Sequence, residues 1–264
     1  MTVFVLVSGT YTGGWIWEDV AARLRAEGAV AHEVTLTGMG DRRHLGGPGT
    51  GLDTHVEDLV QLIDHVEAQD LVMVGHCYGI APVLGAAGRR ADRIRRIVYL
   101  DAPMPQDGFS LAEQIATDMP DPELRDQLLG QIGRAGEDGM MPAPSLAQWR
   151  AWGSLDGLSE KALERLHRLS APQPVATYTQ KARLTGAVAE IPTSGIFCSS
   201  NGMSIAGVEA LVASGHPRFQ PLADPRVGFF EIATGHYPML SAPDELAELL
   251  VRAAAGQGHR VTAA

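Results

Sequence analysis

The chain has 264 residues, 45% of them hydrophobic, and its 21 basic and 31 acidic side chains give a formal charge of -10. That length suits one large domain with an insertion rather than several small modules, and that charge argues against binding nucleic acid or anionic lipid. Two cysteines, Cys77 and Cys198, are too few for a disulfide framework and suit a reducing compartment, so a cytoplasmic location is expected.

The first run, VFVLV (3–7), reads as a buried strand, and its flank MTVFVLVSG has no basic region of the kind that opens a signal peptide. GGWIWEDVAARLRAEG reads as a turn and a helix, AVAHEV (29–34) as a second strand, and THVEDLVQLIDHVEAQ (54–69) as an amphipathic helix capped by Thr54. LVMVG (71–75), RIVYLD (96–101), SGIFC (194–198) and VGFFEI (227–232) read as further strands. Continuous apolar strands separated by helices predict an α/β protein with a mostly parallel central sheet flanked by helices. No apolar stretch approaches the roughly 18 residues of a membrane span. Between Pro103 and Ile191 no strand is evident, only short helical stretches broken by Pro and Gly. Residues 103–191 are therefore expected to form a helical cap insertion, with 1–102 and 192–264 as the core. The tail GQGHRVTAA, without apolar periodicity, is expected to fray.

The chemistry centres on residues 71–82, LVMVGHCYGIAP. A strand, then Gly75-His76-Cys77-Tyr78-Gly79, then a small-residue helix start is the context of a G-x-S-x-G nucleophile elbow, with a thiol in place of the hydroxyl. Cys77 is the candidate nucleophile, whereas Cys198, inside an apolar strand, reads as a core residue. The base should follow the last strand, and of nine histidines His236, in FFEIATGHYPML, sits between a strand and a helix near the C-terminus. His76 abuts the nucleophile but is expected to point elsewhere, and His44, His55, His65 and His167 read as surface or cap residues. The orienting acid has two candidates. Asn201 lies in SSNGMSIAG, the loop after strand 194–198, which contains no carboxylate. Asp101 ends the strand after the nucleophile helix, where ligand-facing residues gather in such sheets. Asp101 is preferred, giving the chain order Cys–Asp–His. The oxyanion hole is expected from the backbone N–H of Tyr78 and of Thr10, in the loop SGTYTGGW. Trp149 and Trp152, three residues apart on one face of a predicted helix, are candidates with Tyr178 to line the substrate pocket. There is no P-loop, no G-x-G-x-x-G after a strand and no clustered ligand spacing, so no cofactor and no metal are expected.

The segments VLVSGTYTGGWIWEDVAARL, TLTGMGDRRHL, GLDTHVEDLV, MVGHCYGI, IVYLDAPMPQDG and TGHYPML together resemble the α/β-hydrolase family, in a bacterial branch akin to plant methylesterases and hydroxynitrile lyases. The sequence departs from that pattern at Ser8, where the family usually has His, and at Cys77, where it usually has Ser. In the thiol elbow and the Asp after the next strand it is similar to the Dieckmann cyclases of tetramic acid and pyridone biosynthesis. That resemblance implies a carrier-protein-bound polyketide–aminoacyl thioester as substrate. Cys77 would accept the acyl chain, His236 would deprotonate the carbon between two carbonyls, and ring closure would release the product. Three alternatives stand beside it: a thioesterase, esterase or dienelactone-type hydrolase with the same triad, a lyase that uses His236 without a covalent intermediate, and a non-enzymatic ligand-binding protein.

Overall fold

The computed structural model describes residues 1–262. Its strands are β1 (Val3–Val7), β2 (Val30–Val34), β3 (Leu71–His76), β4 (Ile94–Leu100), β5 (Met140–Met141), β6 (Gln173–Pro174), β7 (Thr193–Cys198) and β8 (Gly228–Ile232). Six of them form one sheet in the order β2-β1-β3-β4-β7-β8, and every neighbouring pair is parallel. Every residue of β1 and β3 is buried. A strand buried at successive positions has both sheet faces covered, because its side chains alternate between them. The helices Glu18–Ala26 and Pro243–Ala254 pack on each other, as do Leu52–His65 and Ile80–Arg89. This is the α/β architecture expected from the apolar runs.

Details of the expectation change. The helix placed at 54–69 spans Leu52–His65, and Thr54 is its third residue, its hydroxyl accepting from the Gly51 N–H at 3.2 Å. Between β4 and β7 lie the helices Leu111–Asp118, Pro122–Ile132, Glu160–Leu169 and Ala176–Thr179, together with the antiparallel pair β5–β6. Those two strands have two residues each, too short to leave a periodicity in sequence. The tail expected to fray is docked through Val261, and Ala263 and Ala264 lie outside the described residues. His259 and Phe229 exchange both backbone hydrogen bonds at 2.9 Å, and Val261 packs beside Phe197 and Phe229. β8 is an edge strand with backbone groups to satisfy, and the tail satisfies one residue of it.

The topology gathers the chemistry at one end of the sheet. β3 lies between β1 and β4, with Val7 beside Gly75 and His76 beside Leu100. The residues just past β1, β3, β4 and β8 therefore emerge side by side at the carboxyl ends of the strands, where open parallel sheets bind ligands.

Candidate active site

The elbow after β3 is as tight as its glycines suggest. A Cβ on Gly75 would come within 2.5 Å of the Ile80 Cα, and one on Gly79 within 2.7 Å of the Ser8 carbonyl oxygen. Between them Cys77 takes φ +51°. Among the described residues only Tyr11 (φ +63°), Cys77 and Asp101 (φ +44°) are non-glycine residues with positive φ. Each such residue costs about 1–3 kcal/mol and persists only where its surroundings hold it. All three lie at this end of the sheet.

Asp101 and His236 meet directly. Asp101 Oδ2 accepts from His236 Nδ1 at 2.6 Å and from Asn201 Nδ2 at 2.7 Å, while Oδ1 accepts from the Cys198 N–H at 3.2 Å. Nδ1 donates to the carboxylate, which leaves Nε2 as the ring nitrogen not engaged by Asp101, and the charge of the Cys77 sulfur acts on the same ring. Asn201 Nδ2 lies 3.2 Å from the same Nδ1, but both are donors, so its hydrogen goes to the carboxylate. Both candidate acids are thus at the site in different positions. Asp101 contacts the base, and Asn201 braces Asp101 while its Oδ1 accepts from the Ser154 N–H at 2.7 Å.

Electrostatics follow from this contact. Burial opposes charge on His236, but the Cys77 sulfur and the Asp101 carboxylate outweigh it and raise the imidazole above its ordinary range. Burial likewise opposes ionisation of Cys77, yet His236, the Thr10 hydroxyl and the Tyr78 N–H bring the thiol below its usual value. Burial raises the Asp101 carboxyl, and the hydrogen bond and charge of His236 more than reverse that. These directions favour a proton on His236 over one on Cys77 or Asp101. Cys198 is the reverse case: it is buried in β7, and burial together with Asp101 raises its thiol.

Thr10 and Tyr78 flank the sulfur. Thr10 Oγ1 is 3.8 Å from Cys77 Sγ, and the Tyr78 backbone helps to lower the thiol. The neighbouring Tyr11 N–H is committed to Gln173 Oε1 at 2.9 Å, and the Tyr11 carbonyl accepts from the Ala171 N–H at 3.0 Å. Tyr11 is therefore unavailable as an oxyanion donor. Tyr178, Trp149 and Trp152 come together around Tyr11. Trp149 meets Tyr11 and Tyr237 edge-on at 6.1 and 5.9 Å, and Trp152 meets Tyr11 and Tyr178 at 4.9 and 6.0 Å. Trp149 is fully buried, whereas Trp152 is half-buried and borders a cavity with Gln127, Gln131, Arg134 and Gln148.

Several participants escaped the sequence reading. His76, expected to point away, donates from Nε2 to the His236 carbonyl at 2.8 Å, and burial followed by the charge of His236 pushes its pKa down to about 3. His55, read as a surface or cap residue, is fully buried: Nε2 donates to the Thr37 carbonyl and Nδ1 accepts from the Tyr78 hydroxyl, each at 2.7 Å. A histidine on an amphipathic helix gives no sign of which face it takes until the apolar stripe is placed. His55 falls on that stripe with Leu52, Val56 and Leu59. The base loop is also clamped from the inserted segment. The His236 N–H donates to the Ser154 carbonyl at 2.8 Å, the Gly235 N–H donates to the Asp156 carbonyl at 3.0 Å, and a Cβ on Gly153 would strike the His236 ring. Among the described residues no cluster of three or more His, Cys, Asp or Glu could hold a metal ion, and no helix is long and apolar enough to cross a membrane.

Comparison with known proteins places the chain in a family. A carbendazim hydrolyzing esterase of Nocardioides sp. strain SG-4G is 33% identical over 261 residues, covering 95% of this chain and 98% of that protein. A pheophorbidase of Raphanus sativus is 33% identical over 106 residues, 40% of each chain. An extracellular α/β-hydrolase from a Paenibacillus species superposes with a TM-score of 0.76 at 21% identity, over 96% of this chain and 99% of that one. Tomato methylketone synthase I does so with a TM-score of 0.70 at 16% identity, over 95% and 96%; at these identities both likenesses concern the fold alone. The sequence profile of the Alpha/beta hydrolase family matches residues 4–249. With nearly the whole chain matched, and a relative aligned from end to end, this protein is an enzyme that belongs to the alpha/beta hydrolase family.

Proposed function

We propose that the chain is a thiol-dependent, esterase-type hydrolase that takes the acyl group of an activated small-molecule ester onto Cys77 and passes it to water. The observation that carries this reading is the grouping of Cys77, His236 and Asp101: a strained elbow thiol whose ionisation His236 favours, and an imidazole held at Nδ1 by a buried carboxylate. The thiolate attacks the acyl carbon as the carbonyl electron pair moves onto oxygen, where the N–H groups of Tyr78 and Thr10 receive it. Collapse of the tetrahedral adduct breaks the bond to the alkoxide, which leaves with the proton from His236 Nε2. A water then gives a proton to Nε2 and its oxygen to the thioester carbonyl. A second collapse releases the acid and restores thiolate and imidazolium.

Hydrolysis takes precedence over the ring-closing release anticipated from the sequence, because the relative aligned along both whole chains is an esterase and the partial relatives include plant methylesterases. The sulfur favours cyclisation as the second reading. A thioester carbonyl is less resonance-stabilised than an ester and accepts carbon nucleophiles, so a β-ketoamide delivered by a carrier protein could supply its own. Intact-protein mass spectrometry with p-nitrophenyl esters, and with a β-ketoamide thioester of N-acetylcysteamine, tests both. The expected result is an acyl mass on the wild-type chain, absent from Cys77→Ala, with free acid as product. Turnover by Cys77→Ala would remove the reading, and release of a ring from the thioester alone would put cyclisation first.

A further inference from the structure

Thr10 stands between two partners. Its hydroxyl oxygen is 3.8 Å from Cys77 Sγ and 2.6 Å from the Tyr178 hydroxyl, and Thr10 and Tyr178 are 5% and 4% exposed. Threonine has one hydroxyl hydrogen, and a thiolate can only accept. When Cys77 is ionised, the Thr10 hydrogen is drawn to sulfur. The 2.6 Å contact must then be made with the Tyr178 hydrogen, the Thr10 oxygen accepting. The polarity of the pair is fixed by the charge at its end.

Tyr178 is built to hold that place. It belongs to the short helix Ala176–Thr179 in the segment between β4 and β7. Its ring stacks on Tyr78 at 5.7 Å and 19°, and Tyr78 is pinned through its hydroxyl to His55. Thr177, beside it, donates to the Pro174 carbonyl at 2.6 Å and accepts from Gln173 Nε2 at 2.9 Å, while the other end of that same glutamine holds the Tyr11 N–H. The helix carrying Tyr178 and the loop carrying Thr10 are thereby tied to one side chain.

We propose that Tyr178 is a positioning residue that acts through Thr10, donating to its oxygen and so directing the Thr10 O–H at the reacting sulfur. Once the sulfur is acylated it is no longer an anion, and the same directed hydroxyl turns to the carbonyl oxygen as a donor beside the two backbone N–H groups. The hydroxyl pair lends the nucleophile side of the site a donor whose strength depends on the inserted segment, since hydrogen bonds in series polarise one another. The other titratable groups around Cys77 are His236 with Asp101 behind it, His76, and the phenols of Tyr11 and Tyr237. Burial first of all holds His76 down and raises all three phenols, Tyr178 included, so these stay neutral at working pH.

This inference rests on Cys77 being the nucleophile, and its test separates the two. Tyr178→Phe removes one oxygen and keeps the stacked ring. It is expected to lower kcat by up to about tenfold, as loss of one hydrogen bond does, with KM unchanged. The pH midpoint of Cys77 alkylation by iodoacetamide should also rise. Thr10→Val should cost roughly a hundredfold, as loss of an oxyanion donor does, and Thr10→Ser should restore most of it. The Tyr178→Phe/Thr10→Val pair should be no slower than Thr10→Val alone, because Tyr178 acts only through Thr10. A lowered melting temperature with an unmoved alkylation midpoint would make Tyr178 a packing residue and overturn the proposal, and so would additive losses in the double variant. If turnover survives in Cys77→Ala, the nucleophile assignment fails instead.

Discussion

Replacing Asp101 by asparagine tests the site most sharply, because the structure shows what the carboxylate does that an amide cannot. Its Oδ2 faces two donors at once, His236 Nδ1 at 2.6 Å and Asn201 Nδ2 at 2.7 Å, and its Oδ1 faces the Cys198 N–H at 3.2 Å. An asparagine has one oxygen. If that oxygen keeps the histidine side, the new NH2 points at the Cys198 N–H, donor against donor. If the NH2 takes the histidine side, it clashes in polarity with Asn201 and drives His236 to accept at Nδ1. The ring proton then moves to Nε2, facing the sulfur in the neutral enzyme, which is the wrong tautomer for a base. In both arrangements the charge that stabilises the imidazolium is gone. Loss of the carboxylate in such a triad costs roughly 10⁴ in rate, or about 5 kcal/mol of transition-state stabilisation. The assay is kcat/KM for p-nitrophenyl acetate, with thermal melting as the folding control. Asn201→Ala, which removes the brace on Asp101 and the acceptor of the Ser154 N–H but leaves the carboxylate, should cost about tenfold, in line with one hydrogen bond to a charged group. An Asp101→Asn enzyme within tenfold of wild type, or one outperformed by its Asn201→Ala counterpart in damage done, would refute this assignment of the acid.

Other substitutions separate chemistry from packing. Cys77→Ala should fold as well as wild type or better, since it removes a half-buried thiol, and should form no acyl adduct in mass spectra. Cys77→Ser should retain slow esterase activity with its pH profile shifted upward, and undiminished activity would mean the sulfur is not selected for its thiolate. The pKa of His55 is pushed down to about 4, with burial the largest cause, so below its unfolded value near 6.5 the unfolded chain binds the extra proton and stability falls as pH drops. On the order of 2 kcal/mol from His55 is expected to be lost between pH 6.5 and pH 5, read as a decline in urea midpoint that His55→Gln should flatten. Trp149→Ala, which empties a fully buried site, should cost about 3–5 kcal/mol. Trp152→Ala should instead raise KM with a smaller change in melting temperature, and a reversal of that order would exchange their assignments.

What could be read in advance follows from the range over which each signal acts. The strands β1, β3, β7 and β8 were legible because runs such as VFVLV and VGFFEI need burial on both faces, which is a local property of composition. The elbow was legible because Gly75 and Gly79 are required by backbone contacts set within the same turn and against β1. His236 was legible from its place after the last strand. The pairing of Asp101 with Asn201 was not, because each residue satisfied the requirement on its own and only the β4–β7 register brings both to one imidazole. His76 and His55 were misplaced for a related reason: a histidine's role is fixed by the partner of each ring nitrogen, and those partners, the His236 carbonyl and the Tyr78 hydroxyl, lie 160 and 23 residues away. Docking of the tail on Phe229 likewise depended on β8 being an edge, which no window of sequence reveals.

The strain in the site and the clamps around it are two sides of one arrangement. Tyr11, Cys77 and Asp101 occupy conformations that a free chain would leave, and each is held from outside its own loop. Tyr11 is held at both backbone groups by Ala171 and Gln173, and Asp101 by Asn201 and the Cys198 N–H. Ser154 closes the circle, donating its N–H to Asn201 and receiving the His236 N–H on its carbonyl. Three of these anchors, Ser154, Ala171 and Gln173, come from the segment between β4 and β7, the same stretch that supplies Trp149, Trp152 and Tyr178. A segment that fixes the loops carrying Tyr11 and His236 cannot be exchanged between relatives without altering the geometry at this end of the sheet. Changes in its sequence should therefore move kcat as readily as KM, which is how substrate choice and rate become linked in a fold whose sheet alone would leave them independent.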